Sequence, residues 1–417
     1  MQPRRLRSAL RGGQHHAPAH ALALHPAAAL RHRRHDARRR QVDAPDLTER
    51  RARPRKDNPV ADHPVPLGNR NLSPNAWLLA RARHHTPRFH FDPDIADPAA
   101  WRDEALPVVL ATLGVEPPRA EPDPVLLGEV ELDGFIMQKW MMNVEDGLSS
   151  IFYVNRPAGG TPDSRWAPIL CWHGHDMQGK EPVMGNRSTP ALRSYADEEG
   201  FNYGAEMARA GFVTVGVDWM GHGDFDEQRK WRISSPQKGV DMDWCDTYYL
   251  NATILGMTPL GINVAHGKRV LDFVTTLPYV AAGPIGVMGG SGGGTMSLWS
   301  ALVDPRIAAT EIICYSDTFP DFGFRDSNYC GSQITPGLFT LVDVSDLQGL
   351  LFPRPLMVDL GFFDDCFPLE SAGPCADRVE EIYVRGGAAD RFHRQLFADG
   401  HVWRNQRSAE FFSEYLR

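Results

Sequence analysis

The first clear pattern of apolar and polar positions lies between residues 127 and 156. Here the two kinds of side chain alternate, as they do in strands that bury one face. Gly134 and the pair Asp146-Gly147 interrupt the alternation, and glycine and aspartate are typical turn residues. The segment therefore predicts antiparallel strands joined by short turns.

After residue 157 the pattern changes to short apolar runs that alternate with stretches of helical period. The runs predict strands at Ala167–Trp172, Phe212–Asp218, Gly283–Met288, Ala308–Tyr315 and Arg354–Leu360. Helices are predicted at Ala99–Leu113, Tyr195–Ala210, Gly261–Thr276, Thr295–Val303 and Arg404–Leu416. Such alternation predicts an α/β fold with a mostly parallel sheet covered by helices on both faces. Ligands then bind at the carboxyl ends of the strands.

Residues 224–257 interrupt this alternation and are rich in aromatic side chains. Those side chains are Trp231, Trp244, Tyr248 and Tyr249. We interpret the stretch as an insertion over the site. Its rings either line an acyl or sugar pocket or pack the insertion itself, and the sequence leaves both interpretations open.

The charge is unevenly distributed along the chain. Residues 1–56 carry 15 Lys and Arg against 4 Asp and Glu, a net charge of +11. Because the whole chain carries −8, the other 361 residues sum to −19. Residues 1–58 have almost no aromatic side chains and no sustained period, so we expect a disordered, dispensable basic tail ahead of a single domain at 59–417. The acidic domain argues against nucleic-acid binding.

The six cysteines show no Cys-x-x-Cys spacing, which favours separate buried thiols over a metal cluster or redox motif. A bridge between Cys366 and Cys375 stays open. No apolar run approaches the roughly 18 residues that cross a membrane, and histidines and a proline interrupt the apolar stretch Ala19–Leu30. We therefore expect a cytoplasmic protein without membrane contact; its oligomeric state is not predictable from the sequence.

Candidate chemistry begins with Ser291, which lies in a Gly-x-Ser-x-Gly pattern between a predicted strand and a predicted helix. Small residues on both sides allow a sharp strand-to-helix turn, which we call the elbow and which exposes the serine hydroxyl at the edge of the sheet. A serine hydroxyl is a poor nucleophile at neutral pH and needs a base oriented by a carboxylate. The sequence therefore predicts a nucleophilic serine with two partners further along the chain.

Asp364 and His401 are the predicted partners of the serine. Asp364 lies in the turn after the strand that ends at Leu360, and His401 lies just before the terminal helix. The order serine, acid, histidine is one that serine hydrolases of α/β type use. Two other acids stay open: Asp365, which is adjacent, and Asp317, which follows another predicted strand.

The loop after the strand Ala167–Trp172 reads His173-Gly-His-Asp176 and is the predicted source of oxyanion contacts. The backbone amides of His175 and Gly292 are the expected donors, because attack on a carbonyl creates an oxyanion that needs preorganised N–H groups. A metal site built on His173 and His175, with Asp176 or His222 as a third ligand, is the competing interpretation. We expect no metal and no cofactor.

Four residues are predicted to shape the substrate pocket. They are Trp219, His222, Trp244 and Tyr248. Phosphate binding is not expected, because Gly289–Gly294 lacks the lysine of a phosphate-binding loop and fits a dinucleotide fingerprint poorly.

Several motifs in order resemble the α/β-hydrolase superfamily, and within it the acetyl xylan esterase-like and dienelactone hydrolase-like branch. They are the loop His173–Lys180, the strand end Asp218-Trp-Met-Gly-His-Gly223, Leu255–Pro259 before a long helix, the serine elbow, Pro353–Pro355 and the ending Gly400-His-Val-Trp403. The resemblance implies a Ser-Asp-His serine hydrolase of small esters, mapped onto Ser291, Asp364 and His401.

The chain also departs from these relatives. The Arg-Gly-Gln signature of the acetyl xylan esterase group is absent, with Trp219–Gly223 near its place, and a serine stands where dienelactone hydrolases have a cysteine. The predicted function is a carboxylic ester hydrolase that forms an acyl-enzyme, with an acetylated sugar as one possible substrate. The alternatives are a prolyl oligopeptidase-like peptidase and a catalytically silent binding scaffold.

Overall fold

The structure is a computed structural model that describes residues 71–226 and 244–417. The predicted basic tail, residues 1–58, lies outside the described residues. So does the Trp231 part of the predicted insertion.

The strands of the described residues form one mixed sheet. They are β1 (Val125–Leu132), β2 (Phe135–Glu145), β3 (Leu148–Pro157), β4 (Pro168–Trp172), β5 (Val213–Val217), β6 (Ile285–Gly290), β7 (Ile307–Ile313), β8 (Leu356–Gly361) and β9 (Phe392–Phe397). Their order across the sheet is β1-β2-β3-β5-β4-β6-β7-β8-β9.

The first three strands are an antiparallel meander with two-residue turns at the predicted positions. Leu132 pairs with Phe135, and Glu145 pairs with Leu148, so an Asp-Gly pair closes each turn. Gly134 and Gly147 have φ angles of +84° and +79°, a conformation that glycine adopts without steric cost. The antiparallel segment predicted at 127–156 is confirmed.

Strands β4 to β9 are all parallel to their neighbours within this group, and β3 joins them by an antiparallel pairing with β5. The predicted α/β fold with a mostly parallel sheet is therefore confirmed. Because parallel strands end at one edge, the loops that follow β4, β5, β6, β8 and β9 meet along a single rim.

The α-helices of the described residues are α1 (Pro74–Arg83), α2 (Pro98–Leu110), α3 (Lys180–Val183), α4 (Pro190–Ser194), α5 (Tyr203–Arg209), α6 (Trp244–Ile254), α7 (Pro259–Val274), α8 (Gly292–Val303), α9 (Val344–Gly349), α10 (Leu369–Arg385) and α11 (Ser408–Leu416). The predicted helix over residues 195–210 is broken, because Gly200 takes a left-handed φ of +71° and ends a π-helical turn at Tyr195–Glu199 before α5 begins. The helix α6 was not predicted within the insertion.

Hydrophobic side chains pack on both faces of the parallel strands. Along β4, Leu170 and Trp172 point into a cluster with α2, α7, α8 and α10, whereas Ile169 and Cys171 point into a second cluster with α5 and α11. The two-residue period of a strand assigns alternate residues to opposite faces, so continuous apolar runs are what a doubly covered sheet requires. The hydrophobic clusters on the two faces of the sheet therefore support the edge at which the loops meet.

No helix in the part of the chain that the structure describes is both long enough and apolar enough to cross a membrane.

Candidate active site

Ser291 forms the turn between β6 and α8. Its φ and ψ angles are +56° and −124°, a conformation that non-glycine residues seldom adopt. Its amide donates to the carbonyl of Ile313 at the end of the neighbouring β7 (2.9 Å). A Cβ at Gly293 would lie 2.7 Å from the carbonyl oxygen of His173, so this glycine is required for the close approach of two backbones. The surrounding backbone therefore holds a strained elbow with the serine at the rim.

His401 and Asp364 meet at the same rim. His401 follows β9 and Asp364 follows β8, and Nδ1 of the imidazole lies 2.9 Å from Oδ2 and 3.1 Å from Oδ1 of the carboxylate. The carboxylate also accepts from the amides of Cys366 (2.8 Å) and Phe367 (2.9 Å). Burial alone would raise the pKa of Asp364, but the hydrogen bonds from His401 and from these amides lower it below its usual value.

Two phenylalanine rings fix the plane of the His401 imidazole. Phe367 stacks on it with ring centroids 5.8 Å apart, and Phe201 meets it edge-on at 5.9 Å. The Phe201 ring also lies directly against Gly290, where an added Cβ would be 2.7 Å from it. Phe201 thus lies against both the imidazole of His401 and Gly290, the residue before Ser291.

Among the described residues, no hydrogen bond joins the side chains of Ser291 and His401. The imidazole is bonded to Asp364. Such contacts are often long in enzymes without a bound substrate and tighten in the complex.

Among the described residues, neither of the other two carboxylates considered as the acid hydrogen-bonds to His401. Asp365 is exposed and contacts the thiol of its neighbour Cys366 at 3.7 Å. Asp317 is buried and accepts from the amide of Thr318 (2.6 Å). Burial raises the pKa of Asp317 to about 6.

The loop after β4 crosses directly above the elbow. A Cβ added to Gly174 would lie 3.1 Å from the carbonyl oxygen of Gly290 and 3.5 Å from Cβ of Ser291. The amide nitrogen of His175 is 3.5 Å from the place where a Cβ of Gly292 would stand. The two predicted oxyanion donors, the amides of His175 and Gly292, therefore belong to backbone segments in contact at the elbow.

A buried network of charged and aromatic residues supports this loop. Lys180 is fully buried, and its ammonium group contacts Asp218 (2.5 Å) and Asp224 (2.7 Å). The carboxylate of Asp218 also accepts from the amides of Lys180 and Asp224, both at 2.8 Å. The network joins the loop after β4 to the loop after β5.

His173 belongs to the support of the loop. It is fully buried, its Nδ1 lies 2.7 Å from the carbonyl of Gly174, and its Nε2 accepts from the amide of Trp219 (3.2 Å). Burial lowers the pKa of His173 to about 3, which leaves the ring neutral and able to accept at Nε2 while donating at Nδ1. Among the described residues, His175 lies in one group of potential metal ligands with His222 and Cys245, and His173 is not part of that group.

The four predicted pocket residues divide into two pairs. Trp219 and His222 are buried and stacked on each other, with centroids 4.2 Å apart, and the Trp219 ring packs on Gly292. Trp244 and Tyr248 are half-buried on α6, with ring centroids 5.3 Å apart. The second pair has rings that can reach a ligand at the surface, whereas the first pair holds the backbone beneath it.

No disulfide joins the cysteines of the described residues, so Cys366 and Cys375 are not bridged. Cys375 is buried in α10, and Cys366 is half-buried beside the turn of Asp364.

Comparison with known proteins assigns this chain to a family. A sequence model of the Abhydrolase family matches residues 68–383, which is well over half of the chain. The chain belongs to the Abhydrolase family. The α/β-hydrolase resemblance of the sequence is thereby confirmed.

Relatives of this Abhydrolase family member agree with the assignment. A protein of Bacillus subtilis (strain 168), provisionally named hydrolase YtaP, is 24% identical over 239 residues, which is 56% of this chain and 72% of the relative. A crystal structure from Bacteroides fragilis NCTC 9343, provisionally named an acetyl xylan esterase, has a TM-score of 0.63 at 19% identity and covers 83% of this chain and 90% of its own.

A further structure similar to the Abhydrolase chain is a glucuronoyl esterase from Solibacter usitatus. Its TM-score is 0.54 at 14% identity, and the match covers 76% of this chain and 94% of that one. At these identities the two structural likenesses establish the α/β-hydrolase fold.

The sequence analysis missed several residues of the Abhydrolase site. Phe201 and Phe367 are next to His401, yet neither belongs to a motif, and only the structure shows what their rings cover. Cys245 was treated as one of several separate thiols, but its Sγ lies 3.6 Å from Nε2 of His175, a residue 70 positions earlier in the chain. Contacts of this kind join distant segments and leave no spacing signal in the sequence.

Proposed function

We propose that this protein is a serine-dependent carboxylic ester hydrolase that works through an acyl-enzyme. The observation on which the proposal depends is the hydrogen bond from His401 to Asp364 (2.9 Å) beside the strained elbow of Ser291. A nucleophile, a base and an orienting carboxylate in these positions are the parts that acyl transfer needs.

The tautomer of His401 decides which nitrogen acts as the base. Nδ1 faces a carboxylate whose pKa is below its usual value, so Nδ1 carries the proton and donates it to Asp364. Nε2 then has a free lone pair that can accept the hydroxyl proton of Ser291 as the oxygen attacks the ester carbonyl. The imidazolium afterwards protonates the leaving alcohol, and the same nitrogen activates water to release the acid.

The oxyanion of the tetrahedral intermediate is proposed to bind the amides of His175 and Gly292. The nearness of His175 N to Gly292 supports this assignment. Loss of one such donor slows an acyl-transfer enzyme by roughly 100- to 1,000-fold. The network of Lys180 and Asp218 acts indirectly, because it keeps the loop of His175 at its distance from the elbow.

A small ester is the proposed substrate class, and Trp244 and Tyr248 are the proposed contacts for its alcohol portion. Aromatic rings offer apolar faces against which sugar rings pack. The structural relatives named acetyl xylan esterase and glucuronoyl esterase make acetylated xylan and glucuronoyl esters the first candidates. Trp219 and His222 are proposed to support Gly292 from below, because both are buried.

Replacement of Ser291 by Ala tests the proposal. The unaltered protein is expected to hydrolyse p-nitrophenyl acetate and to be labelled by a fluorophosphonate probe, and Ser291→Ala is expected to lose both. A panel of p-nitrophenyl esters of rising chain length, acetylated xylan, a glucuronoyl ester and a proline anilide then assigns the substrate. Turnover that persists in Ser291→Ala would refute the nucleophile, and preference for the anilide would favour the peptidase alternative.

A further inference from the structure

Two histidines and a cysteine, residue types that often coordinate transition metals, meet beside the elbow. Each lies on a different segment of the chain. His175 lies in the loop after β4, His222 in the loop after β5 and Cys245 in the first turn of α6. Their ligand atoms all lie within 4.8 Å of one another. The Cys245 Sγ is 3.6 Å from His175 Nε2, and the rings of His175 and His222 have centroids 4.9 Å apart.

We propose that His175, His222 and Cys245 form a binding site for a transition-metal ion of the zinc class. In a tetrahedral zinc site with Zn–N of about 2.0–2.1 Å and Zn–S of about 2.3 Å, neighbouring nitrogen and sulfur ligands are about 3.6 Å apart. The separation of Cys245 Sγ and His175 Nε2 matches that edge. Two imidazoles with a thiol suit zinc and cobalt, whereas magnesium and calcium prefer oxygen ligands.

His222 is held in an orientation that suits a ligand. Its ring is buried and stacks on Trp219 at an angle of 24°, and Nδ1 faces the carbonyl of Met220 at 3.3 Å. A backbone carbonyl on Nδ1 selects the tautomer with a lone pair on Nε2, as in many protein zinc sites.

The other two ligands differ in their burial. Cys245 is buried and its thiol lies against that of Cys330, whereas the side chain of His175 is exposed. Three protein ligands would leave the fourth tetrahedral position of the ion to water. Three protein ligands with one open position is the arrangement of accessible zinc sites.

Two other groups of ligand-type atoms occur at the rim, and both include Asp364. One contains Cys314 and His401, and the other contains Asp365 and Cys366. In each, Asp364 already binds the imidazole of His401 and two backbone amides. The group of His175, His222 and Cys245 is independent of that hydrogen-bonded pair.

Occupancy of the site would tie α6 to the two loops that surround the elbow. The ion would bind the side chain of His175, whose backbone amide is a proposed oxyanion donor. This inference goes beyond the proposed function and does not need it, because metal binding can be measured without any ester substrate.

Cobalt titration of the reduced full-length protein under anaerobic conditions tests the proposal. Cobalt coordinated by a thiolate gives a charge-transfer band in the near ultraviolet, and imidazole ligands alone do not. The distinction matters because residues 1–70 contain seven histidines and no cysteine. We expect one cobalt ion per chain with this band, and its displacement by one equivalent of zinc.

Substitutions assign the ligands. Cys245→Ser is expected to abolish the band, and His175→Ala and His222→Ala to weaken cobalt binding by about 100-fold, because each removes a direct metal bond. Since His175 is exposed, its replacement tests the site in a chain whose buried packing is unchanged. Cys366→Ser and Ser291→Ala are the matched controls and should bind cobalt as the unaltered protein does.

Three results would overturn the assignment: no thiolate band at all, a band that survives in Cys245→Ser, or a band that is lost in Cys366→Ser. The last result would place the metal at Asp364 instead. The Ser291→Ala variant tests the two proposals separately. Its esterase turnover reports on the proposed function, and its cobalt band reports on the metal site.

Discussion

The pKa values of buried carboxyl groups are shifted in opposite directions in two regions of the same sheet. At the rim, Asp364 accepts hydrogen bonds from His401 and two amides, and its pKa is lowered. Inside the sheet, Asp359 on β8 and Glu311 on β7 are fully buried, and burial raises the pKa of both, that of Glu311 to about 7. Asp359 and Asp364 are only five residues apart.

The difference lies in the donors available at each place. Strand ends offer free amides and loop side chains, whereas the interior of a sheet has already used its backbone donors in strand pairing. Among the described residues, neither oxygen of Asp359 has a donor, and Glu311 receives donors only on Oε1, from Trp403 (3.2 Å) and Ser408 (2.7 Å). One proton shared by Asp359 and Glu311 satisfies the facing oxygens, so the pair is partly neutral where Asp364 is charged.

The largest effect is expected from breaking the charged carboxylate at the rim. Asp364→Asn removes the negative charge that orients and stabilises His401, and we expect kcat for p-nitrophenyl acetate to fall by about 10,000-fold. Steady-state kinetics with matched thermal melts measures the loss. Asp365→Asn is the control and should keep kcat within about two-fold, since its side chain is exposed. A near-normal Asp364→Asn enzyme would remove Asp364 from the mechanism.

The next effect concerns a buried carboxylate at the rim that is neutralised by a cation. Lys180→Met leaves Asp218 buried without its counter-ion, and we expect a loss of about 3–5 kcal/mol in the free energy of unfolding. Urea denaturation measures it. Lys268→Met on α7 is the matched control, because among the described residues Lys268 forms no ion pair. Equal stability of the two variants would contradict the role given to Lys180.

The smallest effect concerns the carboxyl pair inside the sheet and depends on pH. Since the pKa of Glu311 is raised to about 7, the folded chain binds more protons than the unfolded chain between pH 4.5 and 7. Its stability should therefore fall as the pH rises through this window, by up to about 1.4 kcal/mol per pH unit from this group. Glu311→Gln should remove the part of the slope that comes from Glu311, whereas burial keeps the pKa of Asp359 raised and its part remains.

Urea denaturation of the unaltered protein and of Glu311→Gln at pH 5, 6, 7 and 8 provides the comparison. Equal slopes in the two proteins would mean that Glu311 titrates near its ordinary pKa. A slope of the opposite sign would show that the pair is stabilised in its fully charged form.

Local patterns predicted much of this fold. The strands β4 to β8 lie within the sheet and are buried on both faces. Their apolar composition alone is therefore enough to predict them as strands. The glycines around Ser291 likewise reflect a local steric demand. The strand β9, Phe392–Phe397, was missed because His393 and Arg394 interrupt its apolar pattern.

Contacts between distant segments were the part that could not be predicted. His401 was paired with Asp364 from the chain order of serine, acid and histidine, although β9, the strand that His401 follows, was not predicted. Phe201, which touches the elbow and the imidazole, comes after a glycine that breaks the predicted helix. The meeting of His175, His222 and Cys245 depends on the path of the insertion, for which the sequence has no periodic signal.

The close passage of Gly174 over Gly290 and Ser291 leaves little room for an additional methyl group, because a Cβ on Gly174 would lie 3.1 Å from the carbonyl oxygen of Gly290. Substitutions that enlarge the elbow or the crossing loop therefore require the neighbouring backbone to shift, which makes them a costly route to new substrates. Diversity has to arise in the outer layer of α6 and its neighbouring loops, where the rings of Trp244 and Tyr248 are half-buried and can be exchanged without moving the elbow.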